Sequence, residues 1–200
     1  MPQSTAFPAA ASLNDVIYCF GGYGSTTNIL NSVLSYSPGG TWTNLSSTGF
    51  TPRFAACAAV VNGKIYVIGG SLNGNTPSNA VECYDPTTNT WLSKSNSGFT
   101  PRSHASCVVI NGKIYVFGGS INPNFDITNA VEVYDPNRDR WESQQYIGST
   151  IRAGTVAGVF NGKAYVFAGI TGHNGASGQI VSTLEIFDPL KISMYWFRKN

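Results

Sequence analysis

The chain has 200 residues, 12 basic and 10 acidic, for a formal net charge of +2, and charged residues make up only 11% of it. An average soluble domain carries about 25%, and the sole basic bunching is Arg198-Lys199, so there is no electrostatic case for nucleic acid. No apolar run approaches the ~18 residues of a membrane helix, and the opening MPQSTAFPAAASLNDV lacks the charged and apolar regions of a signal peptide.

Gly, Ser, Thr and Asn fill the polar positions, a mixture that suits a turn-rich β protein. In chain order, Asn14-Asp15-Val16-Ile17-Tyr18-Cys19-Phe20-Gly21-Gly22 comes first. It returns as NGKIYVIGG at 62–70, NGKIYVFGG at 111–119 and NGKAYVFAG at 161–169. Asn62, Asn111 and Asn161 lie 49 and 50 residues apart. A second signature follows each copy: NSVLSYSPGGTW (31–42), NAVECYDPTTNTW (79–91), NAVEVYDPNRDRW (129–141) and STLEIFDPLKISMYW (182–196). Each unit predicts four strands. In the second, these are about 55–61, a turn at Asn62-Gly63, then Lys64–Ile68, then Ala80–Tyr84 after a variable loop, then a strand carrying Trp91. Asn-Gly between apolar runs is a strong hairpin signal because both residues tolerate positive φ. No stretch carries a helical period.

A four-stranded unit of about 50 residues, repeated, points to propeller blades. The sequence resembles the kelch repeat family. The residues that carry the likeness are the glycine pairs Gly21-Gly22, Gly69-Gly70 and Gly118-Gly119, the tyrosines Tyr36, Tyr84 and Tyr134, and the tryptophans Trp42, Trp91, Trp141 and Trp196. It covers about 6–197. The resemblance implies an all-β protein, a β-propeller of four kelch blades, each a four-stranded antiparallel sheet. The expected organisation is a single domain over 1–200 with repeats at about 6–49, 50–98, 99–148 and 149–197. Propellers of this family usually close with five to seven blades. Three arrangements therefore stay open: part of a larger propeller, a closed four-bladed disc, or a ring completed by several chains. An incomplete ring would expose unpaired edges and an apolar face, and so favour self-association.

Arg53, Arg102 and Arg152 each stand nine residues before the Asn of their own repeat, while Glu82, Glu132 and Glu185 sit in the third strands. The first repeat has Thr5 and Leu34 at those positions and lacks both charges. Joint presence and joint absence predict that Arg and Glu contact each other. Cys19, Cys57, Cys83 and Cys107 form no CxxC pair and read as reduced structural residues, with disulfide or metal binding the alternatives.

In a propeller the scaffold repeats and the loops differ, so function sits in the loops. The variable loops are 23–30, 71–78, 120–128 and 170–181, with the segments leading into the first strands as a second variable zone. Candidate contact residues are Tyr23, Asn73, Asn75, His104, Asn122, Phe125, His173 and Asn174. Phe125, an aromatic in a polar loop, is the leading anchor. The expected function is a non-enzymatic module that binds a protein or peptide through this loop face. The resemblance suggests the propellers of ubiquitin-ligase substrate adaptors, in the cytoplasm. Alternatives are actin or cytoskeletal binding, and a carbohydrate-binding or sugar-oxidising propeller. Copper-radical sugar oxidation needs two histidines and tyrosines converging on a metal. Only His104 and His173 are present, and no GxSxG elbow or P-loop lysine occurs. No metal or cofactor is expected.

Overall fold

A computed structural model describes residues 1–26, 28–73, 76–144, 150–172, 178–191 and 195–197. They form four antiparallel sheets of four strands, each in simple meander order. Blade 1 is Ala9–Leu13, Val16–Phe20, Val33–Tyr36 and Trp42–Asn44. Blade 2 is Cys57–Val61, Lys64–Ile68, Val81–Asp85 and Thr90–Ser93. Blade 3 is Ser106–Ile110, Lys113–Phe117, Val131–Asp135 and Arg140–Gln144. Blade 4 is Val156–Phe160, Lys163–Phe167, Leu184–Phe187 and Tyr195–Phe197. The expected propeller architecture is present, with no helix among the described residues.

The hairpin between first and second strands is set by two left-handed residues in every blade. Asn62 and Gly63 have φ of 51° and 72°, Asn111 and Gly112 51° and 73°, and Asn161 and Gly162 49° and 71°. Blade 1 uses Asn14 and Asp15 at 52° and 61°. This backbone twist matches that of the flanking strands.

First strands of neighbouring blades contact each other in the order 1–2, 2–3, 3–4, so they line the axis. Alternate residues of each strand face alternate neighbours. Ala58, Val60, Ile65, Val67 and Tyr84 pack on blade 1, while Ala59, Val61, Tyr66, Ile68 and Cys83 pack on blade 3. Val108, Ile110, Tyr115 and Phe117 of blade 3 meet Ala164, Val166 and Phe187 of blade 4.

Among the described residues, the face of blade 4 turned away from blade 3 has no such cover. Phe160 is 64% exposed, whereas Ile110 at the same position of blade 3 is 2% exposed. Val156, Phe167 and, on the outward side of blade 1, Ile17 are exposed as well. A closed four-bladed disc would bury these faces against each other, so that arrangement is set aside.

A row of backbone bonds ties the blades at the axis. Ala55 N–H donates to Phe7 O at 2.9 Å, His104 N–H to Ala55 O at 2.9 Å, and Gly154 N–H to His104 O at 2.8 Å. All four residues stand two positions before a first strand, and all are left-handed, with φ between 51° and 65°. Where the residue is not glycine, each such conformation costs roughly 1–2 kcal/mol.

The glycine pair seats the next blade. The N–H groups of Gly22, Gly70 and Gly119 donate to the backbone carbonyls of Arg53, Arg102 and Arg152, each at 2.9 Å. A Cβ on the first glycine of each pair would lie 2.2, 2.5 or 2.3 Å from that same carbonyl oxygen. Blade 4 has Ala168 at this first position, with φ of 61°, and keeps Gly169 at the second. Among the described residues no further blade's carbonyl is seated there, so a methyl group is sterically admissible, although the backbone strain persists. Ala168→Gly therefore stabilises the chain by about 1 kcal/mol in urea denaturation; a destabilisation would show that the methyl has a packing role.

Candidate functional site

Each lead-in segment bridges to the loop that leaves the second strand of its own blade. The bridges are Phe54 to Ser71, Ser103 to Ser120, and Ala153 to Ile170, with Thr5–Ala6 paired to Tyr23–Gly24 in blade 1. The two variable zones therefore share one rim around the axis. The axial hydrogen-bond row fixes the backbone of this rim and aims the side chains of Phe7 and His104.

Five rings form a contiguous row across blades 1 to 3. Tyr23 meets Phe54 edge-on at 5.5 Å between centroids. Phe54 lies 6.5 Å from Phe7 and 6.1 Å from His104. Phe7 lies 5.9 Å from His104, and His104 lies 5.2 Å from Phe125. Such pairs contribute roughly 0.5–1.5 kcal/mol each beyond area burial. Phe54 is buried beneath the row, His104, Tyr23 and Phe125 are half-buried, and Phe7 is 61% exposed. His104 Nδ1 lies 3.1 Å from Ser103 Oγ. Burial pushes its imidazole below the ordinary histidine value, so the ring is neutral at pH 7. The row thus offers ring faces and edges with no net charge.

Of the sequence candidates, Tyr23, His104 and Phe125 come together in this row. Asn122 does not join it. Its amide donates to Asp126 at 2.5 Å, its side-chain oxygen accepts from Asp126 N–H at 3.0 Å, and its carbonyl accepts from Phe125 N–H at 3.1 Å. It braces the turn that holds Phe125 at a φ of 63°. Asn73 is exposed and its carbonyl accepts from Thr76 N–H at 3.0 Å. Asn75, His173 and Asn174 lie outside the described residues. Phe7 and Phe54 complete the row without having been singled out in the sequence. Their signal is position: each lies two or three residues before a first strand, and a ring recurs at the Phe7 position once, as His104, but not at the Phe54 position.

The repeat positions are built into the scaffold. Arg53 pairs with Glu82 at 2.6 Å, Arg102 with Glu132 at 2.5 Å, and Arg152 with Glu185 at 2.6 Å, all buried. Each pair lies within one blade. Thr51 and Thr100 add hydroxyl bonds to the same carboxylates, and Arg53 and Arg102 lie over the rings of Phe50 and Phe99. Tyr84 and Tyr134 hydroxyls bond Asn89 and Asp139. Trp91 and Trp141 reach the preceding linker, donating from Nε1 to Ser46 O at 2.8 Å and Ser95 O at 2.9 Å. Trp42 lies against Tyr36 within blade 1, and Trp196 pairs through its backbone with Glu185. All four cysteines are free thiols. Among the described residues, no group of three or more His, Cys, Asp and Glu side chains is placed to hold a metal ion.

Comparison with known proteins agrees with this architecture. The KLHDC2/KLHL20/DRC7 Kelch-repeats domain matches residues 2–169, and the Kelch motif matches residues 151–191. The chain is 34% identical over 88 residues to Kelch repeat and BTB domain-containing protein 13 of Homo sapiens, covering 43% of this chain and 19% of that protein. It is 35% identical over 98 residues to Beta-scruin of Limulus polyphemus, covering 44% of this chain and 10% of that protein. The chain thus spans a small part of the curated relatives it matches. The solved structure of YjhT superposes with a TM-score of 0.78 at 20% identity, covering 99% of this chain and 66% of that one. At that identity it speaks for the fold alone. With four blades of one design, three of them carrying the glycine pair and the tyrosine, and a family match over most of its length, this chain belongs to the kelch-repeat family.

Proposed function

We propose that this chain is a non-enzymatic protein-interaction module that binds a protein or peptide segment through the aromatic rim of blades 1 to 3. One observation carries the reading: Phe7, Tyr23, Phe54, His104 and Phe125 converge from five separate segments of three blades onto one uncharged, partly exposed strip. Aromatic clusters with a buried base and an exposed edge are what binding hot spots are made of. The kelch membership and the kelch relatives support the same reading. Presentation of a bound substrate to a second module, as an adaptor does, is the finer form of the proposal. The proposed compartment is the cytoplasm, where free thiols persist.

The test is selection of a displayed peptide library on the purified chain, followed by titration of the selected peptides against Phe125→Ala and Phe7→Ala. Each substitution weakens binding at least about tenfold. Peptides that bind both variants as tightly as the parent would place the site elsewhere. Retention of an oligosaccharide in a glycan array, with no peptide selected, would replace the reading with the carbohydrate-binding one, since ring faces also stack on sugars.

A further inference from the structure

Cys57 opens the first strand of blade 2, and Cys107 is the second residue of the first strand of blade 3. These two strands contact each other at the axis, where adjacent blades come closest. Both cysteines are half-buried and pack on the same apolar cluster between blades 2 and 3, beside Ala105 and Val109. Both side chains therefore face the joint between blades 2 and 3, where the two thiols act on each other electrostatically. Cys57 Sγ also lies 3.8 Å from Ile68 O, which orients it along the interface. Cys19 and Cys83 sit apart from this contact, in the second strand of blade 1 and the third strand of blade 2.

We propose that Cys57 and Cys107 form a two-thiol modification site, closed reversibly into an inter-blade disulfide by a peroxide. The Cys57 thiolate attacks one peroxide oxygen and the O–O bond breaks. This leaves a sulfenic acid on Cys57 and a hydroxide that becomes water with the proton released by the thiol. The Cys107 sulfur then attacks the Cys57 sulfur, the S–O bond breaks, and the hydroxyl leaves as a second water with the Cys107 proton. Two thiols lose two electrons and one hydrogen peroxide becomes two waters. The neighbouring Cys57 thiol, together with burial, holds the Cys107 thiol well above its ordinary value. The same product forms with the two roles exchanged, and at half-buried thiols closure is slower than at an exposed, activated one. The cross-link lies two or three residues beyond Ala55 and His104, so it ties together the two blades that carry the centre of the rim.

Hydrogen peroxide treatment of the purified chain, alkylation of remaining thiols and non-reducing tryptic mapping provide the test. Cleavage at Arg53, Lys64, Arg102 and Lys113 places Cys57 in peptide 54–64 and Cys107 in peptide 103–113. The expected product is these two peptides joined, two hydrogens lighter than their sum and separated again by dithiothreitol. Cys57→Ser and Cys107→Ser each abolish the joined species, while Cys19→Ser and Cys83→Ser leave it. The proposal is overturned if both thiols stay open to alkylation after peroxide. It is equally overturned if Cys57 proceeds to sulfinic acid without cross-linking, or if the joined peptides contain Cys19 or Cys83. The mapping of the unsubstituted chain decides the matter even where a variant folds poorly.

Discussion

Arg102→Ala lowers the unfolding free energy by about 3–5 kcal/mol, read as a shift of the urea midpoint at unchanged slope. Domains of this kind have a total stability of about 5–15 kcal/mol, so the variant stands close to unfolding. The reason lies in what is left behind. Glu132 is buried and receives Arg102 Nη2 at 2.5 Å. The guanidinium also donates to the carbonyls of Thr100, Gly118 and Ala130 at 3.2 Å each. Truncation leaves a buried carboxylate without its cation and takes a donor from three carbonyls, of which Ala130 O keeps the Gly118 N–H at 3.1 Å. Desolvation pushes the Arg102 guanidinium down, with Glu132 opposing that shift, which shows how far the pair depends on itself.

A double replacement, Arg102→Met with Glu132→Leu, removes both charges and recovers much of the loss. Blade 1 is a natural precedent. It has Thr5 and Leu34 at the two positions, Leu34 is buried, and the blade still forms all four strands. If Arg102→Ala cost under about 1 kcal/mol, the pair would be an accessory to the blade rather than its brace.

The scaffold was legible in the sequence because it is written four times. Repetition separates what every blade needs from what one blade does. It exposed the Asn-Gly hairpins, the glycine seats and the Arg–Glu contact, whose partners vanish together in blade 1. The rim is harder to read for the same reason. Phe7, Phe54 and Phe125 come from three different repeat positions, and nothing in the sequence says that they meet. Their encounter depends on the axial hydrogen-bond row, which sets Phe7 and His104 side by side across the small residue Ala55. Asn122 looked like a contact residue because loop amides often are, but its amide is consumed by its own turn. The tryptophans stand out in the sequence as repeat markers; the indole N–H bonds of Trp91 and Trp141 to Ser46 and Ser95 add a role that only the neighbouring linker defines.

Gly118→Ala destabilises the chain by at least about 2 kcal/mol more than Gly112→Ala, measured in parallel urea titrations. The two glycines share a positive φ, 59° and 73°, so both substitutions incur the roughly 1–2 kcal/mol of a left-handed alanine. They differ in what a methyl group meets. At Gly112 nothing lies within 4 Å, whereas at Gly118 the new carbon would stand 2.3 Å from the carbonyl oxygen of Arg152. That oxygen cannot retreat cheaply, because it accepts the Gly119 N–H at 2.9 Å and belongs to the residue whose side chain braces blade 4 through Glu185. Relieving the clash means moving blade 4 off blade 3, which opens the Val108, Phe117, Val166 and Phe187 cluster. Ala168 shows the same substitution tolerated where no neighbouring carbonyl is seated. Equal losses at Gly112 and Gly118 would mean that the glycine pair serves only its own strand exit. A larger loss at Gly118 assigns it to the joint between blades, where one hydrogen on the first glycine of each pair decides how closely the next blade can dock.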